Sequence, residues 1–318
     1  MDRTRLAPSP TGALHLGNAR TFLVNWLLAR RHGWHILLRI EDLDGPRIKP
    51  GADRELIQDL QFLGLDWDEG PVYQSTRSRE YQSAIDWLLE RGLAYPCVCS
   101  RREVDLASSA PHAEDGSAIY PGSCRGRFAS KEQAALQSGR PPAIRFAVPD
   151  RDIEFTDGFA GQRSLNVARS LGDFVIAKCD GAAAYQLAVV VDDLAAGITD
   201  IVRGDDLLQS TFRQILLYHA LGATQSIPRY VHLPLVVGPD GRRLAKRHGD
   251  SRIARYRNLG VKPSRLLALL ARWSGIHCDD LEIHDPRELI GRIDLRKISP
   301  SPVVFTTADD AWLSQGTG

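Results

Sequence analysis

Three groups of residues have the types and the spacing to do chemistry. The first opens the chain: Arg5-Leu6-Ala7-Pro8-Ser9-Pro10-Thr11-Gly12-Ala13-Leu14-His15-Leu16-Gly17-Asn18. It reads as a short apolar strand, a Pro/Gly turn and a helix with His15 and Gly17 at its mouth. The first turn of a helix leaves backbone N–H groups unpaired and carries partial positive charge, so it attracts anions. Gly17, without a Cβ, lets a flat ligand lie against the backbone, and His15 is placed to donate to a phosphate oxygen. The second group is Arg242-Arg243-Leu244-Ala245-Lys246-Arg247-His248-Gly249, after the strand-like stretch 231–237 and a Pro239-Asp240-Gly241 turn. A lysine on such a loop suits the stabilisation of charge developing on phosphate oxygens. The third is Cys97-x-Cys99 followed by Tyr120-x-x-x-Cys124. Three thiolates in one stretch can hold Zn²⁺, which takes four tetrahedral ligands. Spacing alone leaves the fourth ligand open, and His112 offers an imidazole, a far commoner zinc ligand than a phenolate.

These groups need a scaffold, and its outline is periodic. Residues 19–32 have the apolar spacing of a helix, closed by Gly33. Residues 34–40 read as an apolar strand that ends in Glu41-Asp42, and two further helices are expected over 53–63 and 79–91. Strand–helix–strand–helix order implies a parallel sheet covered by helices. From about 95 to 182 the rhythm changes to short β-like runs such as 143–148, with a Ser/Ala/Gly-rich loop at 107–117, which reads as an insertion. Residues 185–191, an unbroken apolar run, are expected to be a central parallel strand. Helices are expected over 206–221 and 264–273, and the tail 306–318 reads as mobile. Cys179 and Cys278 read as ordinary core residues.

The bulk numbers set the class. With 318 residues, 43% hydrophobic and 25% charged, the chain has the composition of an ordinary soluble globular protein. The net charge is only +1, but residues 242–272 hold ten Lys/Arg against Asp250 alone, so a basic surface is expected there and not elsewhere. No signal peptide and no apolar window long enough for a membrane span are visible, and five cysteines do not suggest a disulfide framework. A cytoplasmic protein without membrane partners is expected.

Each of the first two motifs is commonplace alone. In this order, separated by most of a split nucleotide-binding fold, they resemble the HIGH and KMSKS signatures of the class I aminoacyl-tRNA synthetases. Arg39-Ile40-Glu41-Asp42, Tyr185-Gln186-Leu187-Ala188-Val189-Val190-Val191-Asp192-Asp193 and Gly197-Ile198-Thr199-Asp200-Ile201-Val202-Arg203-Gly204 are similar to the glutamyl branch of that class. The resemblance runs from Arg5 to about Arg272. HIGH stands here as His15-Leu16-Gly17-Asn18, and KMSKS as Arg243-Leu244-Ala245-Lys246-Arg247 with its second lysine kept. Val189 occupies a position that is typically Asn in the full-length glutamyl enzymes.

The resemblance implies an α/β architecture: a split Rossmann-like nucleotide-binding fold with a parallel sheet, an inserted zinc-bearing α+β subdomain and a short C-terminal helical region. The expected division is 1–94 and 183–238 for the two halves of the catalytic domain, 95–182 for the insertion, and 239–318 for the loop and basic helices. It implies that Arg5, Ala7, Ser9, Glu41, Tyr185 and Arg203 hold L-glutamate, with Glu41 on the ammonium and Arg203 on the side-chain carboxylate. His15, Gly17, Asn18, Arg243, Leu244 and Lys246 would hold ATP, entering with Mg²⁺, and His15 and Lys246 would act on its phosphates. Cys97, Cys99, Tyr120 and Cys124 would be the zinc ligands. A glutamyl enzyme continues into a helical domain that reads the anticodon, whereas this sequence stops soon after the helices that follow Lys246. That length matches a truncated branch of the family, which places glutamate on queuosine in the anticodon of tRNA(Asp). A monomer is expected. The alternatives are a short enzyme charging a tRNA 3′ end and a non-catalytic, zinc-bearing tRNA-binding relative.

Overall fold

The computed structural model describes residues 1–100, 102–104, 119–242, 244, 250–277 and 283–315. The chain begins with β1 (Arg3–Leu6), α1 (Leu16–His32), β2 (His35–Ile40), α2 (Ala52–Phe62), β3 (Glu69–Tyr73) and α3 (Ser78–Glu90). The three strands form a parallel sheet in the order β1-β2-β3. Leu6, Ile36, Leu38 and Ile40 are fully buried, as expected where helices cover a parallel sheet. Helix α1 starts three residues earlier than its apolar spacing suggests, because His15 acts as its N-cap, and it ends at Gly33 in the left-handed conformation at φ 68°. A side chain at Gly33 would strain that turn.

Next come β4 (Ala94–Cys97), α4 (Lys131–Ser138), β5 (Ala143–Phe146), β6 (Asp152–Asp157), β7 (Gly161–Asn166) and β8 (Phe174–Ala177). Strands β4, β5 and β8 make a separate antiparallel sheet, and β6 and β7 pair as a hairpin.

The second parallel unit is α5 (Tyr185–Ala195), β9 (Asp200–Gly204), α6 (Leu208–Ala220) and β10 (Arg229–Leu233). Strands β9 and β10 pair in parallel. Thr199 N–H donates to Arg3 O at 2.9 Å, and Arg3 N–H to Thr199 Oγ1 at 2.8 Å, which sets the start of β9 beside β1. The stretch 185–191, expected as a strand, is instead the helix α5. A continuous apolar run reads alike for a buried strand and a buried helix. Here Leu187 to Val191 are all buried, and Asp192 and Asp193, at the end of the run, are buried too. Asp192 accepts from Gln74 Nε2 at 2.7 Å and Tyr81 Oη at 2.9 Å, and Asp193 from Arg39 Nη1 at 2.5 Å.

The strand expected over 231–237 is two pieces, β10 and β11 (Val236–Val237), which pair with different partners. After it lie α7 (Ile253–Asn258), α8 (Pro263–Trp273), β12 (Val303–Val304) and α9 (Thr307–Ser314). Leu266, Leu267, Leu269 and Leu270 of α8 are buried in one core with α1, each worth about 1.5–3 kcal/mol over exposure. The tail is not loose over its described part. Thr306 and Asp309 form a capping box at the start of α9. Asp310 accepts from Tyr256 Oη and Arg255 Nη1, both at 2.6 Å.

Ion pairs also reduce the expected basic surface. Arg252, Arg255, Arg257 and Arg272, four of the ten cations of that stretch, are in ion pairs with Asp250, Asp310, Asp59 and Asp309. Cys179 is exposed and is not a core residue. Among the described residues no helix is long and apolar enough to cross a membrane.

Candidate active site

A cleft of about 250 Å³ lies among the ends of β1, β2 and β9 and the first turn of α1. Open α/β sheets take ligands at the carboxyl ends of their strands. Arg5, Ala7, Ser9, His15, Gly17, Asn18, Glu41, Tyr185 and Arg203 all line it, so residues spread over two hundred positions converge there. Leu244 is instead buried in the core it shares with α1. Arg243, Lys246 and His112 lie outside the described residues. Val189 is buried in α5 and is not part of the cleft wall.

His15 caps α1 with Nδ1 accepting from the Asn18 N–H at 3.4 Å, which leaves the ring proton on Nε2. A Cβ on Gly17 would meet the His15 ring at 3.2 Å and Val236 at 3.3 Å, so a side chain there would crowd the helix mouth. The segment following the second motif docks on this mouth. Leu16 N–H donates to Ser251 O at 2.9 Å and Ile253 N–H to Leu14 O at 2.8 Å.

The turn after β1 is tied to the end of β2. Glu41 N–H donates to Pro8 O at 3.0 Å, and Ser9 Oγ to Glu41 O at 3.2 Å. Arg39, fully buried, donates to Asp193 and, at 3.0 Å, to Glu41 Oε1. Burial raises Glu41 above the usual carboxylate range, against the opposing pull of Arg39 and Arg5. Arg5 Nε sits 3.5 Å from Asp193 Oδ1. The carboxylates therefore form a buried network with the arginines, and Glu41 is its carboxylate that reaches the cleft, beside Arg5.

Arg203 is different. It is buried on β9, and its head group meets only neutral partners among the described residues. Nε donates to His232 Nε2 at 3.0 Å, and Nη2 to Thr211 Oγ1 at 2.7 Å and Gln214 Oε1 at 2.9 Å. Nη1 is buried with no hydrogen-bond partner. A buried guanidinium held by neutral groups is costly unless an anion completes it, and the planar fork suits a carboxylate. His232, Thr211 and Gln214 were not foreseen; the only available signal was that a strand arginine facing inward needs acceptors.

The cysteines form a second, separate centre. The sulfurs of Cys97, Cys99 and Cys124 lie within 4.8 Å of one another, a spacing compatible with three corners of a tetrahedron of Zn–S bonds of about 2.3 Å. Tyr120 Oη is 3.4 Å from Cys97 Sγ and 3.6 Å from Cys99 Sγ, and it accepts from the Cys124 N–H at 2.9 Å. The phenol thus sits against all three cysteines, and the three sulfurs could hold a metal ion.

Residues 2–309 match the family model of the class I tRNA synthetases (E and Q), catalytic domain. The chain belongs to this family of class I synthetases, with its Rossmann-like α/β fold and parallel sheet. Among its relatives, the Glutamyl-Q tRNA(Asp) synthetase of Symbiobacterium thermophilum is 47% identical over 98% of both chains. The glutamate–tRNA ligase of Synechococcus sp. is 41% identical over 98% of this chain but only 65% of its own. The crystal structure of a glutamate tRNA ligase from Elizabethkingia meningosepticum, in complex with its amino acid, superimposes with a TM-score of 0.82 at 31% identity. That match covers 99% of this chain and 69% of the ligase.

Proposed function

We propose that this chain activates L-glutamate with ATP, without tRNA, and transfers it to the queuosine base in the anticodon of tRNA(Asp). The observation that carries the glutamate part is Arg203: a buried cation with one unpartnered nitrogen, in a cleft shared with Glu41 and His15. For the acceptor, support comes from the relative of matching length, whose name is Glutamyl-Q tRNA(Asp) synthetase.

In this reading Arg203, helped by Arg5, holds the side-chain carboxylate and Glu41 the ammonium. Tyr185 lies along the aliphatic part, and Ala7 and Ser9 shape the wall. His15, Gly17 and Asn18 cradle ATP with Arg243, Leu244 and Lys246, and Mg²⁺ arrives on the nucleotide. An α-carboxylate oxygen of glutamate attacks the α-phosphorus, the new O–P bond forms, and the bond to pyrophosphate breaks. A cyclopentenediol hydroxyl of queuosine then attacks the carbonyl carbon of the adenylate; an ester forms, AMP leaves, and the hydroxyl proton goes to solvent. No side chain acts as nucleophile. Catalysis comes from positioning and charge stabilisation.

Residues 1–94 and 183–238 are then the two halves of the catalytic body, and 95–182 the insertion. Cys97, Cys99, Tyr120 and Cys124 hold a structural zinc ion there, whose contribution is to cross-link the insertion. The test is glutamate-dependent ATP–pyrophosphate exchange with and without tRNA. Exchange of similar rate in both supports the reading, and exchange only with tRNA present favours a tRNA 3′-charging enzyme.

A further inference from the structure

Arg203 does not hold its own orientation; a second buried pair does. His232, on β10, lies opposite Arg203 of β9 in the parallel register. Its Nε2 accepts from Arg203 Nε at 3.0 Å, and Thr211 Oγ1 is also 3.0 Å from Nε2. Its Nδ1 lies 2.6 Å from Asp157 Oδ2, with both side chains fully buried. An arginine N–H can only donate, so Nε2 must be bare, and a carboxylate at Nδ1 requires the proton there. The Arg203 and Asp157 contacts demand the same neutral tautomer, and the Thr211 hydroxyl can donate to it. Burial agrees, holding the imidazole below its ordinary range.

Asp157 comes from elsewhere in the chain. It ends β6, and its other oxygen, Oδ1, accepts three backbone N–H groups: Phe159 at 2.9 Å, Ala160 at 2.7 Å and His232 at 3.1 Å. One carboxylate therefore folds the β6–β7 turn, fastens it to β10 and sets the histidine tautomer. Gly158 also packs here, its N–H donating to Tyr230 O at 2.7 Å, and a Cβ on it would meet Val231 Cγ2 at 2.9 Å.

We propose that Asp157 and His232 are positioning residues that aim Arg203 and make the cleft choose a carboxylate over a carboxamide. The inference rests on the reading that Arg203 takes the glutamate side chain. With Nε committed to His232 and Nη2 to Thr211 and Gln214, the guanidinium cannot rotate, and its remaining donor capacity points one way. Only Nη1 is left to donate: a carboxylate meets it with an acceptor whichever way it turns and brings the charge that completes the buried cation, whereas a carboxamide brings no charge and an NH₂ for which Nη1 offers no acceptor. If the ring carried its proton on Nε2, that N–H would oppose Arg203 Nε–H and the guanidinium would have to turn.

Asp157→Asn tests this with no change of shape. The asparagine oxygen keeps the three backbone bonds, while its NH₂ faces His232 Nδ1 and drives the ring to the wrong tautomer, the effect known for the Asp of the serine-protease triad. In ATP–pyrophosphate exchange by the full chain, KM for glutamate should rise about ten- to hundredfold, the scale for losing a hydrogen bond to a charged group. KM for ATP and the thermal midpoint should stay near the parent's, and the preference for glutamate over glutamine should fall with the glutamate KM. His232→Gln puts an amide oxygen near the place of Nε2 and should retain more glutamate affinity than His232→Asn, which ends short of Arg203. A structural role alone would shift the thermal midpoint and both KM values together, and that result overturns the proposal. So does an Asp157→Asn variant with parental glutamate KM and selectivity. If that variant is parental while Arg203→Ala loses glutamate activation, only the positioning claim falls. If Arg203→Ala is itself parental, the underlying reading of Arg203 falls with it.

Discussion

His15 and Arg252 face each other in an isolated antiparallel β-bridge, which joins the helix mouth of the first motif to the chain just beyond the second. The two motifs are more than two hundred residues apart, yet Leu16 and Leu14, which flank His15, are hydrogen-bonded to Ser251 and Ile253. In the proposed function Lys246, which lies outside the described residues, acts on the phosphates of ATP. Lys246→Ala is therefore expected to slow glutamate-dependent ATP–pyrophosphate exchange by a factor on the order of 10²–10³, as for loss of one charge-stabilising group. Near-parental exchange would remove Lys246 from the mechanism.

Arg203 supplies a prediction about the amino acid. Arg203→Ala should raise KM for glutamate by about 10²–10³-fold, the cost of truncating one partner of a buried, hydrogen-bonded charge pair. Arg203→Lys should recover little, because a single ammonium cannot bond His232, Thr211 and Gln214 and still present a free donor to the cleft. Initial-rate kinetics with circular dichroism on each variant decides this; unchanged glutamate KM in both would place the side-chain carboxylate elsewhere.

For the cysteine cluster, protein purified without chelator should contain about one zinc per chain by elemental analysis. Cys124→Ala should lose it and melt earlier. Tyr120→Phe should keep the three sulfurs but surrender the ion faster to a chelator. Equal metal content in the parent and Cys124→Ala would show that the sulfurs are not ligands.

Asp59 predicts a pH dependence of stability. Its side chain is fully buried, neither oxygen has a hydrogen-bond partner, and Arg257 is 3.5 Å away. Burial pushes it up to about 7, although Arg257 pulls the other way. Between the ordinary Asp range and that value the folded chain keeps a proton that the unfolded chain has released, so this contribution to stability is lost as the pH rises. Asp59→Asn should raise the melting temperature at pH 8, with the gap closing toward pH 4. A gap that grows on acidification would contradict the assignment.

How much of this was legible beforehand depended on whether the signal was local. The parallel strand at 34–40 and helices α2, α3 and α8 follow from periodicity, and Gly33 marked the end of α1. Helix α5 did not, because an apolar run buried on all sides has lost the periodicity that separates helix from strand. Nor did α9: the tail 306–318 was expected to be mobile, and the Thr306-x-x-Asp309 box at its start is hard to read among small polar residues. Within the site, Arg5, Glu41 and Arg203 were found through motif resemblance. His232 and Asp157 were not, since they lie 75 positions apart and are joined only by the packing of a hairpin against β10.

The central claim is that the glutamate activated beside His15 goes to a base. Parental protein incubated with labelled glutamate, ATP and tRNA(Asp) carrying queuosine, then digested with nuclease, locates the transferred group directly. The account predicts label on the queuosine nucleoside of the anticodon, and none when the tRNA carries guanosine there. Label on the 3′-terminal adenosine would contradict it.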